Sequence, residues 1–428
     1  MYQFDVALGA KIAMKERVVW MLFLGLTFFL LYGSANEYAS LTAPHTSIFF
    51  EWERNIPFIE PFIVPYMASD LMFILAFLLP YSRLELRVLA LRVFSIVLFS
   101  VIIFVLFPLA FSFEKPEVHS FTWLFKLLEA DKPFNQAPSL HVSFAIVLFF
   151  SMASQIKSLV LKIILAIWFG LIALSTLFVY QHHFIDLPTG ALVGFLAVYF
   201  ISTKKENSVL RAFMTPRHLK MALYYLVASA FFMWLSFSVS TFFLYPFLSL
   251  FLVSVVYAFG LNSLITNKYF YLVFLPYFIG NQLSWLFYKR NLAFMTKVEE
   301  GVYFGRKPTL KERSQLMDKY IIDLAPEHFY LAQGLLTKNN LAFLDQTIPN
   351  PKLLHKAVIL IEEHKKEGVY VHCALGLSRS VLVISAWLLY NGHSRDELQS
   401  IMLKIRPNYI KSAYMGIALD IYEDYIKG

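Results

Sequence analysis

The chain has 428 residues, of which 58% are hydrophobic and 15% charged, with a mean hydropathy of +0.59. Soluble domains run at roughly 45–50% apolar and 25% charged residues, so composition excludes an ordinary soluble enzyme, a disordered chain and a collagen; a single cysteine excludes a disulfide scaffold. The net charge of +8 needs no nucleic acid to explain it, because Lys and Arg cluster in short stretches between apolar runs, as at a cytoplasmic membrane border.

Charge is unevenly spread. Residues 1–288 carry 32 charged side chains and residues 289–428 carry 34. This predicts a polytopic α-helical membrane domain followed by a globular domain large enough for its own core. In chain order, apolar runs at Val18–Ala35, Pro61–Leu79, Val93–Phe113, His141–Ser154, Leu159–Tyr180 and Leu187–Ser202 predict six spans, the fourth a short one. Four basic sets lie in every second connection: Lys11, Lys15 and Arg17; Arg83, Arg87 and Arg92; Lys157 and Lys162; and Lys204, Lys205, Arg211, Arg217 and Lys220. That alternation puts the amino terminus in the cytoplasm and returns the sixth span there. The connections 36–60 and 114–138, longer and mixed in charge, are expected outside. Val18–Ala35 reads as a span and not a cleaved signal, since cleavage would spoil the alternation.

A second apolar block runs over 221–288, broken at Tyr245-Pro246 and around 262–268. Three spans fit its length. Its last segment carries Pro276, Gly280, Asn281 and Gln282, so two spans and an interfacial or re-entrant segment fit as well. After Lys289-Arg290 the pattern changes. Tyr320–Leu324 and Val369–Val371 read as buried strands, Pro351–Lys366 and Ser380–Tyr390 as helices, punctuated by Gly368 and Asn391-Gly392. Alternating strands and helices predict a small α/β domain. The expected divisions are 1–205, 206–290 and 291–428.

Two constellations carry chemistry. Ahead of the fourth span stands Asn135-Gln136-Ala137-Pro138-Ser139-Leu140-His141; behind the fifth stand Ser175 and His182-His183-Phe184-Ile185-Asp186. The intervening spans form a hairpin, so both motifs return to one membrane face. His182 and Asp186 are four apart and share a helical face, where a carboxylate can fix an imidazole tautomer. These residues resemble the second and third motifs of the type 2 phosphatidic acid phosphatase superfamily, especially its sphingolipid-synthase-like branch, over roughly 50–203. The resemblance implies six transmembrane helices, no metal, and a covalent phosphohistidine. By it His182 is the nucleophile and Asp186 its orienting partner, with His183 the alternative if the loop is distorted. His141 protonates the leaving alcohol and then activates water or an acceptor alcohol, and Ser139 hydrogen-bonds the phosphate. Two positions depart from the pattern. Thr176 stands where the third motif has Arg, and Lys126 with Lys132-Pro133 only approximates the first motif. Lys132 and Lys126 are the candidate phosphate cations.

The second constellation is Val369-Tyr370-Val371-His372-Cys373-Ala374-Leu375-Gly376-Leu377-Ser378-Arg379-Ser380. A buried strand enters a tight turn and then a helix, whose backbone N–H groups and positive end suit an anion and favour a thiolate nucleophile. Arg379 can grip two phosphate oxygens, Gly376 belongs to the phosphate-binding turn, and Ser380 can stabilise the departing thiolate. This stretch resembles the signature loop of dual-specificity protein tyrosine phosphatases, over about 298–428, with Gly301–Arg306 similar to their opening strand and Arg406-Pro407 falling in their closing helices. The resemblance implies that Cys373 attacks phosphorus and that Asp345 is the general acid, with Asp323 a rival carboxylate of more structural character.

Two unrelated phosphate-ester sites on one chain predict a bifunctional lipid phosphatase of bacterial inner-membrane type. The histidine site would take a lipid phosphate such as phosphatidic acid or a prenyl diphosphate. The cysteine site would take a phosphorylated headgroup such as phosphatidylglycerophosphate or a phosphoinositide. A phospho-headgroup transferase with a trimming phosphatase is one alternative. A lipid-sensing membrane part controlling a phosphotyrosine phosphatase is another. The expected partners are a membrane and a lipid phosphate, with no cofactor, no metal and no nucleic acid. The histidine site should face the exterior; two further spans put the Cys domain in the cytoplasm, which a thiol enzyme favours, and three put it outside.

Overall fold

The computed structural model describes residues 12–42, 45–129, 131–204, 209–327 and 339–427; Lys11 and Lys205 of the basic sets lie outside the described residues. It is a polytopic helical structure followed by a small α/β domain. By compactness the chain divides into two units, Met1–Arg211 and Ala212–Gly428.

The first unit holds α1 (Met14–Leu41), α2 (Ile63–Leu78), α3 (Arg83–Leu106), the short α4 (Thr122–Leu128), α5 (Leu140–Gln155), α6 (Leu159–Phe178) and α7 (Asp186–Phe200). Four apolar helical runs here are long enough to cross a membrane: Met14–Leu41, Glu60–Leu78, Arg83–Leu106 and Leu159–Phe178. α5 and α7 are shorter apolar helices, each beginning at a motif residue.

The basic sets are placed differently from the expectation that they form connections. α3 starts ten residues before Val93, because Ser82 and Glu85 form a reciprocal capping box: Ser82 Oγ accepts from Glu85 N and Glu85 Oε2 from Ser82 N. Arg83, Arg87 and Arg92 therefore sit on the helix itself. Arg92 donates to the carbonyls of Ile201 (2.8 Å) and Val198 (3.3 Å) at the end of α7, and Arg87 to Leu210 O at 3.2 Å. Arg17, on α1, donates to Leu78 O (2.6 Å) and Pro80 O (2.7 Å) at the end of α2. Guanidinium groups thus close the carbonyl ends of helices, where orphan acceptors and the negative dipole end both favour a cation.

α5 and α7 cross where glycine lets backbones touch. Ser143 Oγ donates to Gly190 O at 2.8 Å, and a Cβ on Gly190 would lie 2.4 Å from Ser139 O.

The second unit opens with α8 (Pro216–Ser238), α9 (Leu244–Phe259), α10 (Asn262–Thr266) and α11 (Leu275–Tyr288). Of these, Pro216–Ser238 and the run Thr241–Phe259 are long and apolar enough to span; α11, at 14 residues, is not among the candidates. The α/β part has strands β1 (Met295–Glu299), β2 (Val302–Arg306), β3 (Tyr320–Asp323), β4 (Asn339–Asn340) and β5 (Val369–Cys373), with α12 (Pro351–His364), α13 (Arg379–Tyr390), α14 (Arg395–Ile405) and α15 (Ala413–Lys427). The sheet order is β1-β2-β5-β3-β4, antiparallel only between β1 and β2. Every residue of central β5 is buried, as expected for a parallel strand covered on both faces. Its core partners include Phe304, Ile322, Val358 and Trp387. β5 ends on Cys373, so the turn 374–378 opens at the carboxyl edge of the sheet, where such folds place ligands.

Replacing Gly190 with Ala should destabilise the first unit by about 1–3 kcal/mol through overpacking against Ser139. The corresponding change at Gly170, where a Cβ meets nothing within 4 Å, should cost no stability. Thermal unfolding of the two variants in detergent checks the pair.

Candidate active sites

At the first site, α5 and α7 bring their opening residues together: Ser139 N donates to Asp186 O at 3.1 Å. Asp186 is buried, and its Oδ2 lies 3.1 Å from His182 Nδ1 and accepts from His183 N at 2.9 Å. An Nδ1–H held by Asp186 leaves His182 Nε2 with its lone pair available. The His141 ring is 6.2 Å from that of His182 and stacks on Tyr66 at 4.2 Å. His183 is occupied elsewhere. Its Nδ1 is 3.3 Å from Glu53 Oε2, its Nε2 accepts from Ser112 N at 3.3 Å, and its ring stacks on Phe49 and Phe111. Ser139 Oγ is fully buried and has no hydrogen-bond partner among the described residues, an unsatisfied donor that a ligand oxygen would complete.

Of the expected cations, Lys132 lines the same cavity as His141 and His182. Lys132 Nζ is paired with Glu37 Oε2 (2.5 Å) and Ser40 Oγ (2.9 Å), and Lys126 is exposed on α4. Ser175 Oγ and Thr176 Oγ1 donate to Ile172 O and Ala173 O of their own helix, so Thr176 offers nothing in place of a guanidinium. Lys115 lies in Coulombic range of Asp131, and Asp131 in range of His182. Sequence reasoning missed Lys115, Asp131, Glu53 and Tyr66, because their relation to the histidines is wholly tertiary. His141 and His182 border a cavity of about 530 Å³ whose apolar wall includes Leu24, Phe28, Phe73, Phe144 and Leu148.

At the second site, Cys373 Sγ is 3.5 Å from Ser380 Oγ. The turn between them has its carbonyls held from outside: Ala374 O by Lys307 N (3.1 Å), Leu375 O by Arg406 Nη2 (3.4 Å) and Leu377 O by Ile410 N (2.9 Å). Carbonyls so engaged leave the turn's N–H groups for an anion. Gly376 has φ +70°, and a Cβ there would lie 2.5 Å from Gly305 C, so neither conformation nor space admits a side chain.

Arg379 is buried and paired with Glu327, Nη1 to Oε2 at 2.8 Å and Nη2 to Oε1; Nη1 also donates to Phe343 O at 3.0 Å. Its Nε lies 3.2 Å from Asp345 Oδ1. Burial works against the guanidinium charge, but Glu327 and Asp345 outweigh it and hold Arg379 above its ordinary value. Desolvation pushes the Asp345 carboxyl up, Arg379 pulling the other way and Glu327 adding to the rise. Asp323 is fully buried at the end of β3 and accepts from Ala325 N at 3.0 Å, a strand-end role. Glu327 was not legible in the sequence. Nor was the hold on the Asp345 segment, where Tyr257 donates to Asp345 O (3.3 Å), Arg217 to Gln346 O (3.0 Å) and Asn262 to Ala342 O (3.2 Å).

Residues 89–209, which include Ser139, His141, His182 and Asp186, match the model of the PAP2 superfamily. The chain is a phosphatase. No curated protein matches this phosphatase. Among solved structures it is similar to Tk-PTP in its active form, at 25% identity over 30% of this chain and 96% of that one (TM-score 0.27). It is also similar to PTPMT1, at 22% identity over 31% and 96% (TM-score 0.28). A third is the human tyrosine phosphatase-like serine/threonine/tyrosine-interacting protein, at 18% identity over 31% and 98% (TM-score 0.29).

The raised carboxyl of Asp345 keeps its proton to higher pH than an ordinary Asp near 3.9, which is what the general-acid role expected of it from the sequence would require. The alkaline limb of kcat/KM on a soluble aryl phosphate should therefore lie above that value. Asp345→Asn should flatten the limb and lower kcat about 10²–10⁴-fold.

Proposed function

We propose that the chain is a bifunctional membrane lipid phosphatase, hydrolysing phosphate esters through a phosphohistidine at His182 and, independently, a phosphocysteine at Cys373. The observation that carries this reading is the cavity lined by His141 and His182: an oriented imidazole, Lys132 and a large apolar wall in one space suit a substrate with a phosphate head and a hydrocarbon body.

In the first reaction His182 Nε2 attacks phosphorus while Asp186 keeps Nδ1 protonated and stabilises the imidazolium. The bond from phosphorus to the lipid oxygen breaks, and His141 supplies the proton to the leaving alcohol. His141 then takes a proton from water as it displaces the phosphate from His182. Ser139 Oγ donates to a phosphate oxygen. In the second reaction the Cys373 thiolate attacks phosphorus and Asp345 protonates the leaving oxygen. Water activated by the Asp345 carboxylate then releases phosphate, and Ser380 donates to Sγ as it departs. Arg379 Nε, which faces Asp345 Oδ1 at 3.2 Å, would exchange that carboxylate for a phosphate oxygen; the Nη groups are set by Glu327.

Two candidate spans after the first unit return the chain to the side where it began, which supports a cytoplasmic Cys domain in a bacterial inner membrane. A receptor that binds lipid phosphate without turnover is the second reading, favoured by the engaged hydroxyl of Thr176. Phosphate release from a lipid panel by purified protein separates the two. His182→Ala and Cys373→Ser should each abolish turnover of a different substrate. Loss of all turnover in Cys373→Ser, with none in His182→Ala, would favour the receptor.

A further inference from the structure

Between α11 and the segment 307–313 of the second unit lies a groove of about 820 Å³ that neither proposed reaction uses. One wall is α11, contributing Leu275, Phe278, Ile279, Leu283 and Trp285. A helix of 14 residues is about 21 Å long, short of the ~30 Å of a bilayer core. Yet Ile279, Leu283 and Phe287 are 50%, 61% and 74% exposed. In a chain already held by spanning helices, such a face meets lipid.

The charged part of the lining is cationic. Lys289, Lys307, Lys311 and Arg313 line the groove, and no carboxylate does; Lys289 follows α11 and the other three lie on the facing segment. The one acid in the segment, Glu312, is bound by Arg306 (3.0 and 2.8 Å) and by Thr309 N (2.8 Å), which holds its carboxyl down to about 2. Leu310, between the cations, is 77% exposed. Lys307 is the informative residue. It is buried, at 7% exposure; its ammonium donates to the neutral Gln282 Oε1 at 3.1 Å; and among the described residues no carboxylate lies within ion-pair distance of it. Burial works against its charge, and Asp323 and Glu327 offset this only at a distance; an anionic headgroup would supply the direct contact. Lys307 N also donates to Ala374 O, the residue after Cys373.

An apolar wall, a lining with four cations and no carboxylate, and a buried ammonium in contact with a neutral amide call for an amphiphile with an anionic head. We infer that this groove seats an anionic phospholipid, acyl chain along α11 and headgroup at Lys307, Lys311 and Arg313, and presents lipid phosphate to Cys373. Seating stands by itself, whereas presentation rests on the lipid reading of the Cys site.

The test uses full-length Cys373→Ser protein in phosphatidylcholine nanodiscs containing a phosphatidylglycerol with a photoreactive group in its acyl chain. Labelling should concentrate on 275–289 and 307–313, compete with unlabelled phosphatidylglycerol and not with phosphatidylcholine, and fall about tenfold or more in Lys311→Gln/Arg313→Gln. In the Cys373 background the same double variant should lose lipid-phosphate turnover by a similar factor and keep turnover of p-nitrophenyl phosphate, which also shows that it folds. Labelling spread evenly over the exposed apolar helices, or indifferent to the two charges, overturns the groove whatever the Cys site hydrolyses. Charge-dependent labelling with no lipid-phosphate turnover by wild type supports seating and overturns presentation together with the lipid reading of that site.

Discussion

A charge taken out of water has to be met by an opposite charge or by hydrogen bonds, and both proposed phosphate sites are arranged around that requirement. In the first unit the buried Asp186 is satisfied by the His183 backbone and by His182, so the carboxylate that needs a partner also fixes the imidazole. In the second, Glu327 is buried against the Nη groups of Arg379, and Asp345 faces its Nε at 3.2 Å. Removing Asp186 or Glu327 would strand a cationic or polar group in the interior. Positioning and burial are therefore one constraint at each site.

The same requirement explains how the helices end. Arg17 and Arg92 lie where span counting puts cytoplasmic charge, and each closes the carbonyl end of a neighbouring helix. A membrane protein has few other means of satisfying those acceptors. The charge pattern that sets topology thus also stitches the spans together. The second apolar block has a comparable double role. Tyr257, Arg217 and Asn262 hold the segment that carries Asp345, so the proposed acid is positioned by residues of this block and its flank.

What was legible in the sequence was local. Apolar runs, the four-residue spacing of His182 and Asp186, and the strand–turn–helix around Cys373 each express a short-range rule, and each has its counterpart in the structure. Span edges were less legible: α3 begins early because the Ser82–Glu85 box outweighs the charge of Arg83, Arg87 and Arg92. The pairing of Lys132 with Glu37, 95 residues away in the chain, was not legible from spacing, although Lys132 does line the cavity beside His182. Glu327, Lys115 and the hold on the Asp345 segment carry no motif. They exist only once distant segments meet.

The central claim is that two separate covalent phosphoenzymes form on one chain. Rapid acid-free quenching of wild type with radiolabelled lipid phosphates, followed by peptide mapping, tests it most directly. Phosphate on His182 with one substrate and on Cys373 with another is the predicted result. Phosphate on Cys373 alone, or on His183 in place of His182, would contradict it.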